Sequence, residues 1–382
     1  MRKSAEVIIV GGGISGCSIA YNLAKKGVKD IVVLEKRFIC GGSTGACGAG
    51  VRMQWGTEMN CRFSKFSIEL YQKANETLEY DGDIEFRQSG YLLISDDERE
   101  LAQFEKNIEV QHECGIPSRM VTLKEAKELV PHLNTDILKG AAFCEKDGFL
   151  NPFLTTDAFY RAARRMGVEF HTNTTVTDIA VENGRVTGVL TDKGFIASNR
   201  VVNAAGGFSK EIAAMAGVTL PVYKERHQIL VTEPVEPIQG PMVMSFGMNL
   251  YVQQSPHGSF IMGRGDDGEP RDGRVTSSWH FLDEMAATVC RVLPPIGKLR
   301  LVRQWAGLYN ITPDRQPIYE SSEEVGGFYM AVGFSGHGFM FGPMTGVVMS
   351  ELILGEEPTV DISKLSLKRF ERGEMMFEPS VV

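Results

Sequence analysis

The first forty residues alternate between unbroken apolar blocks and blocks of glycine or mixed polarity. Residues 5–10 end in the run Val7-Ile8-Ile9-Val10, and residues 30–34 repeat it as Ile31-Val32-Val33-Leu34 after Asp30. Short runs that are apolar on both faces predict strands buried in a parallel sheet. Between them, residues 14–26 have the spacing of an amphipathic helix. Helical patterns recur at 59–80 and, heavily charged, at 96–114, with a strand at 89–94 between them. Thr122 followed by Glu125 is a capping-box signature for a short helix ending before Pro131. Asp147-Gly148 reads as a turn. Asn151-Pro152 then supplies a cap and a first-turn proline for a helix reaching about residue 166. After a strand at 168–171, two alternating runs flank Asn183-Gly184, a hairpin signal. Residues 200–207 form a strand ending in glycines, and a helix follows it. Residues 221–301 are rich in strands and turns, with one helix near 279–293. The last strand, at 327–334, runs into Ser335-Gly336-His337-Gly338-Phe339. A helix from about 341 to 354 ends at Gly355.

This order describes a doubly wound α/β unit interrupted twice by sheet-rich segments. A chain of 382 residues has room for two such bodies. Forty basic against 48 acidic residues leave a net charge of −8 with no long single-sign run, which argues against a nucleic-acid surface. No apolar run approaches membrane-spanning length. The first strand begins within six residues of the start, so no presequence is expected and the chain is read as cytoplasmic. Seven cysteines with no CxxC pair predict reduced, mostly buried thiols. Seven scattered histidines without ligand spacing predict no metal site. Arg264-Gly265-Asp266, in a turn, is read as an accidental match to an adhesion tripeptide.

The chemistry begins at Gly11-Gly12-Gly13-Ile14-Ser15-Gly16. Gly11 and Gly13 permit a tight turn and close approach of backbone to a pyrophosphate, and Gly16 permits close packing of helix on strand. The helix start offers free N–H groups to phosphate. Glu35 ends the second strand about twenty residues on, where a ribose hydroxyl is held. Strand, glycines, helix, strand and acid together point to a dinucleotide. The loop of residues 40–50, with Gly42-Ser43-Thr44, is too rich in small residues for a packed helix. Composition alone leaves it open between a flat-ligand contact and a flexible surface loop. Gly336 and Gly338 place a second free helix start at strand ends, able to stabilise negative charge, with His337 beside it as polar group or core residue.

Val10 to Gly16, Gly42-Ser43-Thr44 with Gly48-Ala49-Gly50-Val51-Arg52, Asn203-Ala204-Ala205-Gly206, Trp305-Ala306-Gly307, Thr312-Pro313-Asp314 and Gly333-Phe334-Ser335-Gly336-His337-Gly338-Phe339 occur in that order. In this the chain resembles the D-amino-acid oxidase superfamily of FAD enzymes, nearly end to end. Within it the chain is most similar to sarcosine oxidase β subunits and the β subunit of archaeal dye-linked L-proline dehydrogenase. The resemblance implies a Rossmann-like FAD-binding domain of the glutathione-reductase type, residues 1–85, 147–217 and 311–382, interrupted by an α+β substrate domain, residues 86–146 and 218–310. It implies FAD contacts at Gly11, Gly13, Ile14, Ser15, Gly16, Glu35, Lys36, Gly42, Ser43, Thr44, Gly48, Val176, Ala205, Gly206, Gly307, Gly336, His337, Gly338, Phe339 and Met340. A small amino acid would sit against the flavin, its neutral amine carbon delivering a hydride equivalent to flavin N5, and the imine would then hydrolyse. Arg52 falls where sarcosine oxidases bind the substrate carboxylate. His337 and Tyr251 complete the implied catalytic set, Tyr251 matching a substrate-side tyrosine of glycine oxidases.

The departures from the family pattern also carry expectations. Tyr309 stands where glycine oxidases carry a carboxylate-binding arginine. Gly307 stands where monomeric sarcosine oxidases attach flavin through cysteine. Residues 147–152 lack the histidine that anchors FMN in some β subunits, so the flavin is expected to be noncovalent, with FMN at a subunit interface left open. Met340 replaces one lysine of the monomeric oxidases, and an apolar residue near Ile261 replaces the lysine tied to oxygen activation. The expectation is a dehydrogenase of a proline- or sarcosine-like substrate, the catalytic subunit of a hetero-oligomer with an electron-accepting partner. A peroxide-forming oxidase, a nicotinamide enzyme sharing only the first βαβ unit, and a non-catalytic FAD-binding subunit are the rivals.

Overall fold

The structure is a computed structural model describing residues 2–265 and 268–380; Asp266 of the Arg264-Gly265-Asp266 tripeptide lies outside them. Its centre is a six-stranded sheet in the order Ile318–Ser321, Phe328–Val332, Val201–Asn203, Val7–Val10, Ile31–Leu34, Glu169–His171. All neighbours are parallel except the edge strand Ile318–Ser321. The two opening runs are these central strands because every residue in them is buried on one face or the other. Val7, Ile9 and Val33 join one core and Ile8, Val10, Val32 and Leu34 the other, as the twofold alternation of a strand requires.

The first core is roofed by the helices Ile14–Lys25, Pro152–Arg165 and Gly338–Leu354. The second lies under a three-stranded antiparallel sheet, residues 176–197, and the helix Ser209–Met215. At the turn of that sheet Asn183 and Gly184 have φ of 51° and 72°, the left-handed pair a tight hairpin requires. A second, eight-stranded sheet gathers strands from residues 91–144 and 223–311. The helix Trp279–Val292 packs on one of its faces.

The predicted caps are in place. Thr122 accepts from the Glu125 N–H, and Asn151 from Phe153 and Leu154. Two boundaries differ. The expected helix over 59–80 breaks at Lys73 into Glu58–Gln72 and Ala74–Thr77. The last helix begins at Gly338, three residues earlier than its apolar pattern indicates, because Gly336 at φ 98° turns the chain straight into it. Among the described residues no helix is long and apolar enough to cross a membrane, and no group of three or more His, Cys, Asp or Glu is placed to hold a metal.

Candidate active site

A long groove of about 280 Å³ runs along the carboxyl ends of the central strands. Gly11, Gly13, Ile14, Ser15, Glu35, Lys36, Gly42, Ser43, Thr44, Ala205, Gly206, Gly307, Gly336, Gly338 and Phe339 all line it. Gly16 does not; it sits beneath, where an added Cβ would fall 2.0 Å from the Gly11 carbonyl oxygen, so its role is packing. Val176 also lies outside the groove, buried in the second core. Two helices, Ile14–Lys25 and Gly338–Leu354, start at the groove, and neither has a side-chain cap or an acidic residue in its first turn. The Ile14 N–H donates to the Thr44 hydroxyl at 3.2 Å, and beyond that contact the two helix starts present N–H groups to an anionic ligand. A Cβ on Gly11 would lie 2.3 Å from the Ala204 oxygen, so only glycine fits that wall. The Glu35 carboxylate is fixed at the strand end by the N–H groups of Gly12 and Arg37, 2.8 Å each, while still facing the groove. These features fit the phosphates and ribose of a dinucleotide.

The small-residue loop is a fixed wall. Cys40 donates its N–H to the Gly12 carbonyl, the Trp305 indole donates to the Ala46 carbonyl, and the Gln253 amide donates to the Gly48 carbonyl. Beyond it opens a smaller cavity of about 90 Å³ that shares Cys47, Tyr309, Gly336 and Phe339 with the groove. Gly48, His337, Met340, Arg52 and Tyr251 line it, with Trp55, Tyr91 and His227. Ile261 lies in the neighbouring strand, packed among Tyr251, Met244 and Trp305 in a small apolar cluster.

Arg52 is 3% exposed and follows the two-residue strand Gly50–Val51. Its guanidinium donates to the carbonyls of Gln54 and Ser380, and its Cζ lies 3.8 Å from the Trp55 ring centroid. No carboxylate among the described residues is within ion-pair distance of it. Burial lowers its pKa from the usual arginine range. Behind it Asp147 accepts from the Met53 N–H at 2.7 Å and the Gln54 amide at 2.9 Å, and burial pushes its carboxyl up to about 7.

His337 occupies the position before the last helix and packs edge-on against Trp55 and Phe341. Its Nε2 has no partner among the described residues; burial, then Arg52 and Arg315, pulls its pKa down to about 3. His227 is the residue that pattern reading missed. It is 4% exposed, it stacks on Tyr309 at 4.5 Å and on Tyr251 at 5.8 Å, and neither ring nitrogen has a partner among the described residues. Burial holds its pKa near 4. Its only sequence signal is position in the polar run Glu225-Arg226-His227-Gln228 of an otherwise buried strand. Gly263 makes room for Tyr251, since a Cβ there would lie 2.4 Å from the phenol oxygen. A dinucleotide groove thus opens into an aromatic chamber lined by the buried Arg52 guanidinium and two buried imidazoles.

The model of the FAD dependent oxidoreductase family, DAO, matches residues 6–352, and the chain belongs to that family. It is an FAD-dependent amino-acid or amine oxidoreductase. It is 30% identical to the sarcosine oxidase subunit beta of Rhodobacter capsulatus, over 99% of this chain and 91% of that protein. It is 38% identical to the L-proline dehydrogenase of P. horikoshii, with a TM-score of 0.93 over 98% of this chain and all of that one. Glycine oxidase from Geobacillus kaustophilus shares the fold at a TM-score of 0.88 and 23% identity.

Proposed function

We propose that the chain oxidises a small amino acid or secondary amine, proline- or sarcosine-like, as the catalytic subunit of a dehydrogenase complex. The observation that carries this is Arg52, a buried guanidinium with no carboxylate partner among the described residues, lining an aromatic chamber. Burying such a charge unpaired is costly, so a ligand carboxylate is its natural counterion. FAD, when bound, supplies the oxidant and takes up the hydride equivalent from the substrate carbon. The chain's residues do the rest. The segments 1–85, 147–217 and 311–382 would form the lobe that holds it, and 86–146 with 218–310 the lobe over the substrate. Gly11 to Ser15 and Glu35 hold its phosphates and ribose; the last helix start stabilises negative charge beside His337. Trp55, Tyr91 and Tyr251 exclude water and take an apolar ring or methyl group. His227 stays neutral near pH 7 with ring nitrogens unpartnered among the described residues, so it can accept a hydrogen bond from the substrate amine.

The flavin is held noncovalently in this reading: at Gly307 an added Cβ would come 2.9 Å from that of Ala46, leaving a cysteine no space. Met340 in the chamber and apolar Ile261 nearby supply no cation for oxygen, which favours a protein acceptor, with FMN at the interface as one form of it. We place the chain in the cytoplasm, in keeping with seven free thiols.

The test is anaerobic bleaching of the flavin by L-proline, sarcosine, glycine and D-amino acids in turn. Rapid bleaching by L-proline or sarcosine, followed by slow reoxidation in air, is expected. Fast reoxidation with peroxide would make the chain an oxidase; a flavin that none of them bleaches would overturn the substrate assignment.

A further inference from the structure

Residues 378–380 fold back onto the start of the helix Glu58–Gln72 and onto Arg52. Glu378 sits over the start of the helix Glu58–Gln72, putting a negative charge at the positive end of a 15-residue helix. One of its oxygens accepts from the N–H groups of Gly56 at 2.7 Å and Ser380 at 3.1 Å. The other accepts from the Thr57 N–H at 3.1 Å, the Thr57 hydroxyl at 2.7 Å and the Asn60 amide at 3.0 Å. Pro379 caps Gly56 so closely that a Cβ there would lie 2.3 Å from its ring. The Ser380 hydroxyl accepts from Asn107, on the helix Glu98–Glu113, at 2.8 Å. The Ser380 carbonyl takes one arm of Arg52.

Three consecutive residues thus join two helices to the guanidinium. The other arm of Arg52 goes to Gln54, only two residues away, on a loop that moves with Arg52 itself. Ser380 is the acceptor that comes from outside that loop. A guanidinium has five N–H donors in a fixed plane, so seating two arms orients the donors that remain.

We propose that residues 378–380 are a positioning strap for Arg52, setting the angle at which its free donors meet the substrate carboxylate. This rests on the reading of Arg52 as the carboxylate site. The strap gives the chamber its preference for an anion, while Trp55, Tyr91 and Tyr251 bind the apolar part whether the strap is seated or not.

The flavin-loaded chain is titrated with pyrrole-2-carboxylate and, separately, with pyrrole-2-carboxamide, following the flavin absorption band. Glu378→Ala unseats the strap by removing its acceptors, and Gly56→Ala unseats it by displacing Pro379, so one variant stands if the other fails to fold. Each should weaken the carboxylate about tenfold and the amide by less than about twofold, with Glu378→Asp restoring most of the loss. An unchanged carboxylate-to-amide ratio in both variants overturns the strap, as does equal weakening of both ligands. Arg52→Ala separates the two claims. If it abolishes the carboxylate preference while the strap variants keep it, only the strap falls. If the preference survives Arg52→Ala, the carboxylate reading falls and the strap with it.

Discussion

A buried arginine is ordinarily paired, because the desolvation cost of an unpaired charge exceeds what carbonyl contacts return. Arg52 has two carbonyls and an indole face, and it lines the chamber. Replacing it with alanine is expected to raise KM for the amino acid about a hundredfold while flavin stays bound. Arg52→Lys should recover only part of this, since a lysine offers no planar fork. Steady-state kinetics with a parallel measurement of flavin content checks both, and loss of flavin from either variant would move Arg52 to the cofactor side. The residue was legible in the sequence because it follows a glycine-rich loop in a recognisable order. His227 was not: alternation tells only that a strand position faces inward, and whether that inside is packed core or ligand chamber depends on Tyr251 and Tyr309, 24 and 82 residues further on.

At the level of elements, the groove depends on two helices whose starts converge on it. Ile14–Lys25 and Gly338–Leu354 cross at closest approach through Gly342 and Gly346, four residues apart and so on one face. A Cβ on Gly346 would lie 2.1 Å from the Ser18 hydroxyl and 2.6 Å from the Ser18 carbonyl. One on Gly342 would lie 2.6 Å from Ile14. Gly346→Leu is therefore expected to push the helices apart, destabilise the fold by about 1–3 kcal/mol and release flavin on gel filtration, although Gly346 lines neither the groove nor the chamber. Full flavin retention would show that this crossing does not align the two helix starts. The existence of both helices could be read from pattern and caps. Their crossing could not, since the 17-residue last helix is apolar on nearly every side and its periodicity marks no preferred face. The same uniformity hid its true start: Gly338 and Phe339 continue it without a polar break.

Across the whole molecule, the chamber lies where the two sheets meet, and its buried ionisable groups tie stability to pH. His227 and His337 have folded pKa values near 4 and 3 against an ordinary 6.5. Between those limits the unfolded chain binds protons that the folded chain refuses, so their contribution is complete above about pH 6.5 and is lost as pH falls. Asp147 runs the other way. Its folded pKa near 7 against an ordinary 3.8 means the folded chain holds a proton the unfolded chain has released, so its contribution is present at low pH and lost as pH rises through 7. Each proton of difference has a limiting slope of about 1.4 kcal/mol per pH unit. Near pH 5 to 6 two groups oppose one, a net difference of about one proton, so these three together should lower stability by about 1.4 kcal/mol per pH unit toward acid. His227→Asn removes one of the two and should nearly flatten their net slope, whereas Asp147→Asn removes the opposing group and should steepen it about twofold. Thermal melts of the three proteins at half-unit steps from pH 5 to 7 read this directly. A His227→Asn slope equal to that of the unsubstituted chain would show that His227 titrates normally in the fold. It would also leave His227 with the ordinary basicity of an imidazole, able to take up a proton near neutral pH where the buried, lowered form only accepts a hydrogen bond.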